Sequence, residues 1–246
     1  MLNGESDIQE AVESILDQTY EDYEFIVIDD GSTDSTPEIL QGFVDPRLRV
    51  ITQETQGLTK ALNMGIGLSK GEYIARLDAD EIAHSDRLSR QVDYLDSHPN
   101  VGLVGSFCKN VNKVSGGEDV WTYPVEDKDI REALPCRNVF VHGSVMMRRR
   151  VLDEVGLYDQ SLVYVQDYEL WGRITDKFKV HNLPDVLLTR KITPQSLSER
   201  PELLTARMWA GLRAQLSVMH RLGHGPMAYI NLSKHIAGYL FRRLRA

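Results

Sequence analysis

The stretch that decides the fold is Glu72-Tyr73-Ile74-Ala75-Arg76-Leu77-Asp78-Ala79-Asp80. It starts as a strand-like segment and ends in two carboxylates that are separated by one alanine. Because side chains two apart on a strand share a face, a turn directly after the strand would keep Asp78 and Asp80 together. Such oxygen ligands suit Mg²⁺ or Mn²⁺, with substrate phosphates completing the coordination. An isolated acidic pair more commonly caps a helix or stays solvated, so the interpretation depends on the rest of the chain.

Strand-like and helical segments alternate through the first half of the sequence. The predicted order is helix 7–19, strand 24–28, a helix to about residue 43, strand 48–51, helix 58–71, strand 72–77, helix 85–97 and strand 101–107. This alternation predicts an α/β fold, with a mixed, mostly parallel sheet flanked by helices. In such sheets ligands bind beyond the carboxyl ends of the strands, where Asp29, Asp30, Asp78 and Asp80 all fall.

The second half of the sequence is less regular. Its predicted elements are a loop or hairpin at 110–119, a short helix at 127–134, a strand at 139–148, a helix from 165, an edge strand at 180–188 broken by Pro184, and helices from 201 and up to about 244. We divide the chain into one domain at 1–198 and a C-terminal basic helical extension at 199–246. That domain divides further into two halves, residues 1–107 and residues 108–198.

Charge is distributed unevenly over the 246 residues, whose net charge is −8. Residues 200–246 hold eight Lys/Arg and one acid, or +7, which leaves 20 bases and 35 acids, or −15, in residues 1–199. An acidic body argues against a nucleic-acid partner. The basic tail suits peripheral contact with an anionic inner membrane leaflet, although a helix packed on its own domain fits equally well. No apolar run approaches the roughly 18 residues of a membrane span, and Cys108 and Cys136 fit free thiols in a reducing cytoplasm.

Five blocks of this sequence, in order, resemble family 2 glycosyltransferases of the GT-A fold, of the inverting, non-processive bacterial type. The blocks are residues 14–20, 27–34, 57–63, 70–80 and 166–171. The resemblance covers roughly residues 3–190, and it makes residues 1–107 the nucleotide-binding half of the domain and residues 108–198 its acceptor half. Members of the family usually open with an apolar strand, of which residues 1–5 match only the final turn. We therefore expect the sheet of this chain to lack that first strand, either because the true start lies upstream or because the copy is truncated.

The resemblance assigns roles in donor binding to acidic side chains in the first half. Asp30, with Asp29 beside it, would bind the base or ribose of the nucleotide. Asp80 would be the metal ligand proper, with Asp78 near the ribose or a metal-bound water. The ion would be Mn²⁺ or Mg²⁺. Lys60 would place a cation near the diphosphate, although a solvated surface lysine is an equally good interpretation.

Three residues of the second half resemble acceptor-side groups. Asp167 corresponds to the general base that takes a proton from the acceptor hydroxyl; the alternative is a carboxylate that only stabilises a helix N-terminus. Trp171 either stacks on a sugar or fills the core. His142 either lines the acceptor side or is a core histidine with satisfied hydrogen bonds.

The function implied is a metal-dependent, inverting hexosyl transfer from a nucleotide-sugar, with UDP favoured. The acceptor would be a glycan or lipid-linked hydroxyl in the synthesis of cell-surface polysaccharide or lipopolysaccharide. The expected location is the cytoplasm, on the inner face of the membrane. The alternative is a truncated, non-catalytic domain that serves as a membrane-associated scaffold. Metal-dependent nucleotide binding would separate the two.

Overall fold

The structure is a computed structural model that describes residues 1–193, 204–223 and 225. The helices are α1 Ile8–Leu16, α2 Thr36–Gln41, α3 Leu58–Leu68, α4 Arg87–Ser97, α5 Asp127–Ala133, α6 Arg149–Val155, α7 Gln166–Lys177 and α8 Leu204–Arg221. The strands are β1 Phe25–Asp29, β2 Leu48–Thr52, β3 Tyr73–Ala75, β4 Glu81–Ala83, β5 Val101–Asn112, β6 Glu118–Trp121, β7 Met146–Arg148 and β8 Lys179–Ile192. The alternation predicted for the first half is therefore present.

The strands form a mixed arrangement with more antiparallel pairing than the sequence indicated. Parallel pairing joins β1 to β2 and β5 to β8. Antiparallel pairing joins β3 to β7, β7 to β5, β5 to β6 and β8 to β4, within the part of the chain described. The predicted mixed sheet is confirmed, and its longest pairing, that of β5 with β8, is parallel. The antiparallel pairs arise because β6 returns on β5 through a hairpin and β7 runs between β3 and β5 in the direction opposite to both.

The sheet formed by β1 and β2 is separate from the sheet of β3–β8. Residues 1–7, which precede α1, contain no strand. At the end of β1, the Asp30 N–H donates to the Met1 carbonyl across 2.7 Å.

The two longest strands, β5 and β8, form the middle of the larger sheet. Their register moves from Ser106↔Leu183 to Phe107↔Val186, so one strand has a bulge at Pro184 and Asp185. Proline cannot donate to a sheet ladder, and a bulge accommodates it without ending the strand. The prediction that Pro184 would break the strand was therefore wrong.

Only the last part of the strand predicted at 139–148 is a strand. Residues 142–144 form a 3₁₀ turn, and β7 follows it. The Ser144 hydroxyl donates to the Val141 carbonyl at 3.0 Å, while the Gln91 amide donates to the Ser144 carbonyl at 2.7 Å. Side chains thus supply hydrogen bonds to the backbone carbonyls of the turn. Such bonds replace the ladder bonds of a strand and favour the turn locally.

The largest apolar core lies between the sheet and helices α6, α7 and α8. Ala214 and Val218 on α8 are buried in it, beside Trp171 and Ile174 on α7. The first helix of the predicted C-terminal extension thus packs on the domain. The final helix predicted up to about residue 244 lies outside the described residues. Within the described residues, none of the helices is sufficiently long and apolar to span a bilayer.

Lys191, near the end of β8, ties this strand to α1. Its ammonium lies 2.9 Å from carboxylate oxygens of both Asp7 and Glu10, and its side chain is 5% exposed. Removal of a buried partner leaves carboxylates without compensation and costs more than loss of a surface pair.

We expect Lys191→Met to lower the free energy of unfolding by about 1–3 kcal/mol. Lys109→Met is the matched control, because Lys109 pairs with Glu118 on an exposed hairpin. It should cost less than about 1 kcal/mol. Urea unfolding of both variants measures the difference. If both variants lost the same free energy of unfolding, the ion pairs between α1 and β8 would stabilise the protein no more than an exposed pair.

Candidate active site

Asp78 and Asp80 lie in the short connection between β3 and β4. The strand predicted to run to residue 77 ends at Ala75, so a closed turn, not strand alternation, brings the two carboxylates together. Asp78 and Glu81 close the turn with two hydrogen bonds, one donated by each residue. The Glu81 N–H donates to the Asp78 carbonyl at 3.2 Å, and the Asp78 N–H donates to Glu81 Oε2 at 3.0 Å.

Buried charges support this turn from behind. The Arg76 guanidinium is hydrogen-bonded to Asp78 Oδ1, and its Nη1 lies 3.9 Å from Glu81 Oε2. Arg87 donates through Nη2 to the Arg76 carbonyl at 2.8 Å. Burial raises the pKa of Glu81 to about 7, with the negative charge of Asp78 acting in the same direction. The backbone carrying the two carboxylates is therefore fixed by side-chain contacts on its inner side.

The carboxylates themselves have the character of a cation site. Burial raises the pKa of Asp80, and the charge of Asp78 raises it further. A divalent cation between the two would relieve this repulsion. The described part of the chain holds no group of three or more His, Cys, Asp or Glu side chains arranged around a common point. Two carboxylates with open positions match a Mg²⁺ or Mn²⁺ site that the substrate completes.

Asp167 lies in the first turn of α7 and is partly buried. Burial raises its pKa, while the Tyr168 N–H, Arg76 and Asn138 act in the opposite direction. The Asn138 side-chain amide donates to Asp167 Oδ2 at 2.8 Å, which fixes the orientation of the carboxylate. A carboxylate with a raised pKa and an oriented oxygen has the properties of a general base.

Arg76 lies within electrostatic range of both this carboxylate and the Asp-x-Asp turn. Its charge acts on the pKa of Asp167 as well as on Asp80. Tyr158 is close enough to be influenced by Asp167, Asp78 and Arg76. The structure therefore brings the predicted base and the predicted metal ligands to one place, although about 90 residues separate them in the chain.

The backbone before Asp167 adopts an uncommon conformation. Val165 has φ 58° and ψ 18°, the left-handed region that β-branched residues rarely occupy. Such conformations persist where surrounding contacts determine them, often at functional sites. Here the strained residue lies two positions before the carboxylate and sets the direction in which α7 begins.

His142 and Trp171 lie behind this site. The indole of Trp171 is 0% exposed and has edge contacts with Phe140 and His142 at centroid distances of 5.9 and 5.8 Å. It thus fills the core, and the alternative of sugar stacking is corrected because no face of the ring is open. His142 bonds to the Tyr158 hydroxyl at 2.9 Å, and burial lowers its pKa, so the imidazole is neutral at pH 7. An acceptor-side role for His142 stays a prediction.

The residues predicted to bind the nucleotide occupy the end of β1 and the start of α3. Asp30 accepts hydrogen bonds from the Gln56 and Gly57 N–H groups at 2.9 and 2.8 Å and from the Gln53 amide. Burial raises its pKa, but these bonds outweigh burial and lower it overall. Asp30 therefore orders the loop between β2 and α3.

The other two predicted nucleotide contacts differ from each other. Asp29 is buried and accepts the Ser32 N–H at 3.1 Å, so it closes the turn after β1. Lys60 is exposed on α3. The structure places neither against Asp78 or Asp80, and their binding roles stay predictions.

Sequence reasoning missed the function of block 57–63 in positioning the acceptor half. The Asn63 amide donates to the Tyr158 carbonyl at 2.8 Å and accepts the Tyr158 N–H at 3.1 Å. The Thr59 hydroxyl donates to the Leu162 carbonyl at 3.0 Å. These bonds hold the loop that leads to Asp167. Arg76 was also missed, although a charged residue inside an apolar strand is a signal of a buried ion pair.

Comparison with known sequences agrees with this arrangement. The model of Glycosyl transferase family 2 matches residues 1–156. An uncharacterized glycosyltransferase of Haemophilus influenzae is 32% identical over 202 residues, which cover 77% of this chain and 62% of that protein. The amylovoran biosynthesis glycosyltransferase AmsE of Erwinia amylovora is 30% identical over 197 residues, 78% of this chain and 73% of AmsE. The chain thus spans less than two thirds of the length of the first of these relatives.

Solved structures show the same fold. TarS of S. aureus in complex with UDP-GlcNAc has a TM-score of 0.67 at 20% identity, over 78% of this chain and 57% of the TarS chain. The mannosyltransferase PcManGT of Pyrobaculum calidifontis, in complex with GDP-Man and Mn²⁺, has a TM-score of 0.62 at 19% identity, over 100% and 80%. The predicted GT-A architecture, a mixed sheet flanked by helices, is confirmed.

Substitution of Gly143 tests the packing behind the Asp-x-Asp turn. A Cβ at this position would lie 1.5 Å from Glu81 Oε2. Gly143→Ala must therefore displace the carboxylate that holds Asp78, and we expect a loss of about 1–3 kcal/mol of stability. Gly67→Ala is the control, because a Cβ there meets nothing within 4 Å, and helix propensity should stabilise it by up to ~1 kcal/mol. Urea unfolding gives both values, and an unaffected Gly143→Ala chain would contradict the packing described.

Asp167→Asn tests whether the carboxylate is held at a cost in stability. Burial raises the pKa of Asp167 above 3.8, so the folded protein binds this proton more tightly than the unfolded chain does. The resulting stabilisation of the fold is fully present below pH 3.8 and is lost as the pH rises through the pKa of the folded state. Asparagine has no proton to lose. We expect the variant to melt about 2–4 °C above the wild type at pH 7, with the gain shrinking as the pH falls toward 3.8.

Thermal melts across this pH range, followed by circular dichroism, measure the effect. Asp153→Asn, at an exposed carboxylate on α6, serves as the control and should not change the melting temperature. If the wild type and Asp167→Asn had equal stability at neutral pH, Asp167 would not be a buried carboxylate with a raised pKa.

Proposed function

The chain belongs to glycosyl transferase family 2, and we propose that it transfers a hexosyl group from a nucleotide-sugar to an acceptor hydroxyl. The observation that carries this proposal is the arrangement of the Asp78–Asp80 turn and Asp167 around Arg76. It combines an oxygen-ligand site for a divalent ion with a partly buried carboxylate suited to proton removal.

The residues for donor binding are those at the carboxyl ends of β1 and β3. Asp80 and Asp78 would hold Mn²⁺ or Mg²⁺, which supplies charge neutralisation at the diphosphate when bound. Asp30, after the end of β1, orders the loop between β2 and α3, and it would meet the base or ribose there. Lys60 would add a cation near the phosphates.

Asp167 acts in this proposal as the single base of an inverting displacement. The acceptor oxygen forms its bond to the anomeric carbon while the bond from that carbon to the nucleotide phosphate breaks. The acceptor proton goes to Asp167. Asn138 keeps the accepting carboxylate oriented, and Arg76 limits how far burial raises its pKa.

The relatives support a substrate class without fixing it. AmsE is named for amylovoran biosynthesis, TarS was solved with UDP-GlcNAc, and PcManGT with GDP-Man and Mn²⁺. We propose a UDP-sugar as the donor and a surface polysaccharide or lipopolysaccharide precursor as the acceptor. The basic residues of 199–246 would place the protein at the inner face of the membrane.

Calorimetric titration of UDP, dTDP and GDP, each with and without Mn²⁺, tests the donor site. We expect one nucleotide to bind only with the metal, and Asp80→Ala to weaken that binding by roughly tenfold or more. Asp93→Asn, at an exposed carboxylate on α4, is the matched control and should bind like the wild type. Asp167→Asn should also bind nucleotide normally. No metal-dependent binding by any of the three nucleotides would favour the non-catalytic scaffold.

A further inference from the structure

Trp121 on β6 presents an aromatic surface beside the site that the catalytic assignments leave unused. We propose that this indole, supported by Arg190, is the surface on which a hexopyranose ring of the acceptor glycan packs. The proposal rests on the proposed function and names the part of the protein that recognises the acceptor.

The sheet places Trp121 on the same face as the metal-binding turn. Glu81 on β4 lies opposite Arg190 on β8, and Trp121 lies opposite Cys108, which pairs with Leu188. Arg190 and Leu188 are two residues apart, so their side chains share a face. Trp121 is thus on the face that carries Glu81.

Arg190 and Glu81 connect the indole of Trp121 to Asp78. The Arg190 guanidinium carbon lies 5.7 Å from the centre of the Trp121 ring, within the range of a cation–π interaction. Arg190 Nε lies 4.0 Å from Glu81 Oε1, and Glu81 Oε2 accepts the Asp78 N–H at 3.0 Å. The ring is therefore separated from the predicted metal ligands by two side chains. That spacing suits a sugar of the acceptor glycan that packs beside the turn of Asp78 and Asp80.

The surroundings of Trp121 select a sugar over an apolar partner. The side chain is 40% exposed, whereas Trp171 is 0% exposed. The Arg190 guanidinium lies at the ring, whereas the Lys109–Glu118 ion pair is on the opposite face of the hairpin, with Val120. The negative face of an indole attracts the C–H groups of a pyranose, while the Arg190 guanidinium can donate to its hydroxyls. A lipid or apolar peptide would leave the charge of Arg190 desolvated.

The test uses the full chain labelled with 5-fluorotryptophan, in which the three tryptophans give separate fluorine resonances. Maltose, lactose, mannobiose and N,N′-diacetylchitobiose are titrated in the presence of UDP and Mn²⁺. We expect at least one disaccharide to shift the Trp121 resonance saturably. The Trp209 resonance, from an exposed tryptophan on α8, should not move. Equal shifts at both, or no shift at Trp121 with any disaccharide, would overturn the proposal.

Variants separate recognition from folding. Trp121→Ala should weaken binding of the active disaccharide by about tenfold, and Trp121→Phe should restore most of it because a ring is retained. Val120→Ala is the matched control, since Val120 is exposed on the opposite face of the same strand. It should bind like the wild type. Unchanged binding in Trp121→Ala would contradict the assignment.

UDP binding keeps the two proposals distinguishable. All three variants should bind UDP and Mn²⁺ like the wild type. If UDP binds but no disaccharide moves Trp121, the acceptor surface alone is wrong. If neither binds to the wild type, both proposals are wrong.

Discussion

The Arg76 guanidinium carries a permanent positive charge into a position that is 7% exposed, beside the Asp-x-Asp turn. A buried charge is tolerated only with partners, and here these are Asp78 and Glu81, with Asp167 within electrostatic range. Removing any one of these groups would change the charge balance of the others. The Asp-x-Asp turn and the proposed base therefore share one cation, the Arg76 guanidinium, which links the two halves of the domain electrostatically.

The backbone around this charge cluster is held by contacts on two sides. Arg87 holds the carbonyl of Arg76, and the Glu81 carboxylate packs against Gly143 with no room for a side chain. On the other side, Asn63 binds the backbone of Tyr158 through two hydrogen bonds. The site is built on loops, and hydrogen bonds and packing contacts on the inner side of those loops fix their position.

Periodicity and motif spacing predicted much of this protein. The alternation of helices and strands before residue 107, the GT-A family, and the placement of Asp30, Asp78 and Asp80 at strand ends could all be read from local pattern. The second half was predicted less well. A strand was expected at 139–148 where most of the segment is a turn, and Pro184 was expected to end a strand that continues through a bulge. In both cases long-range hydrogen bonds override local preference.

The sequence by itself determined which residue types stand at the strand ends, and hence the family and its candidate carboxylates. Only the tertiary structure decided which of them meet. It buried Trp171 in the core and left Trp121 partly exposed, although both residues are tryptophans of the acceptor half. It also paired Arg76 with Asp78 and brought Asp167 within range of the same positive charge. The physical reason is that burial and charge pairing depend on contacts between residues far apart in the chain, which neither composition nor spacing records.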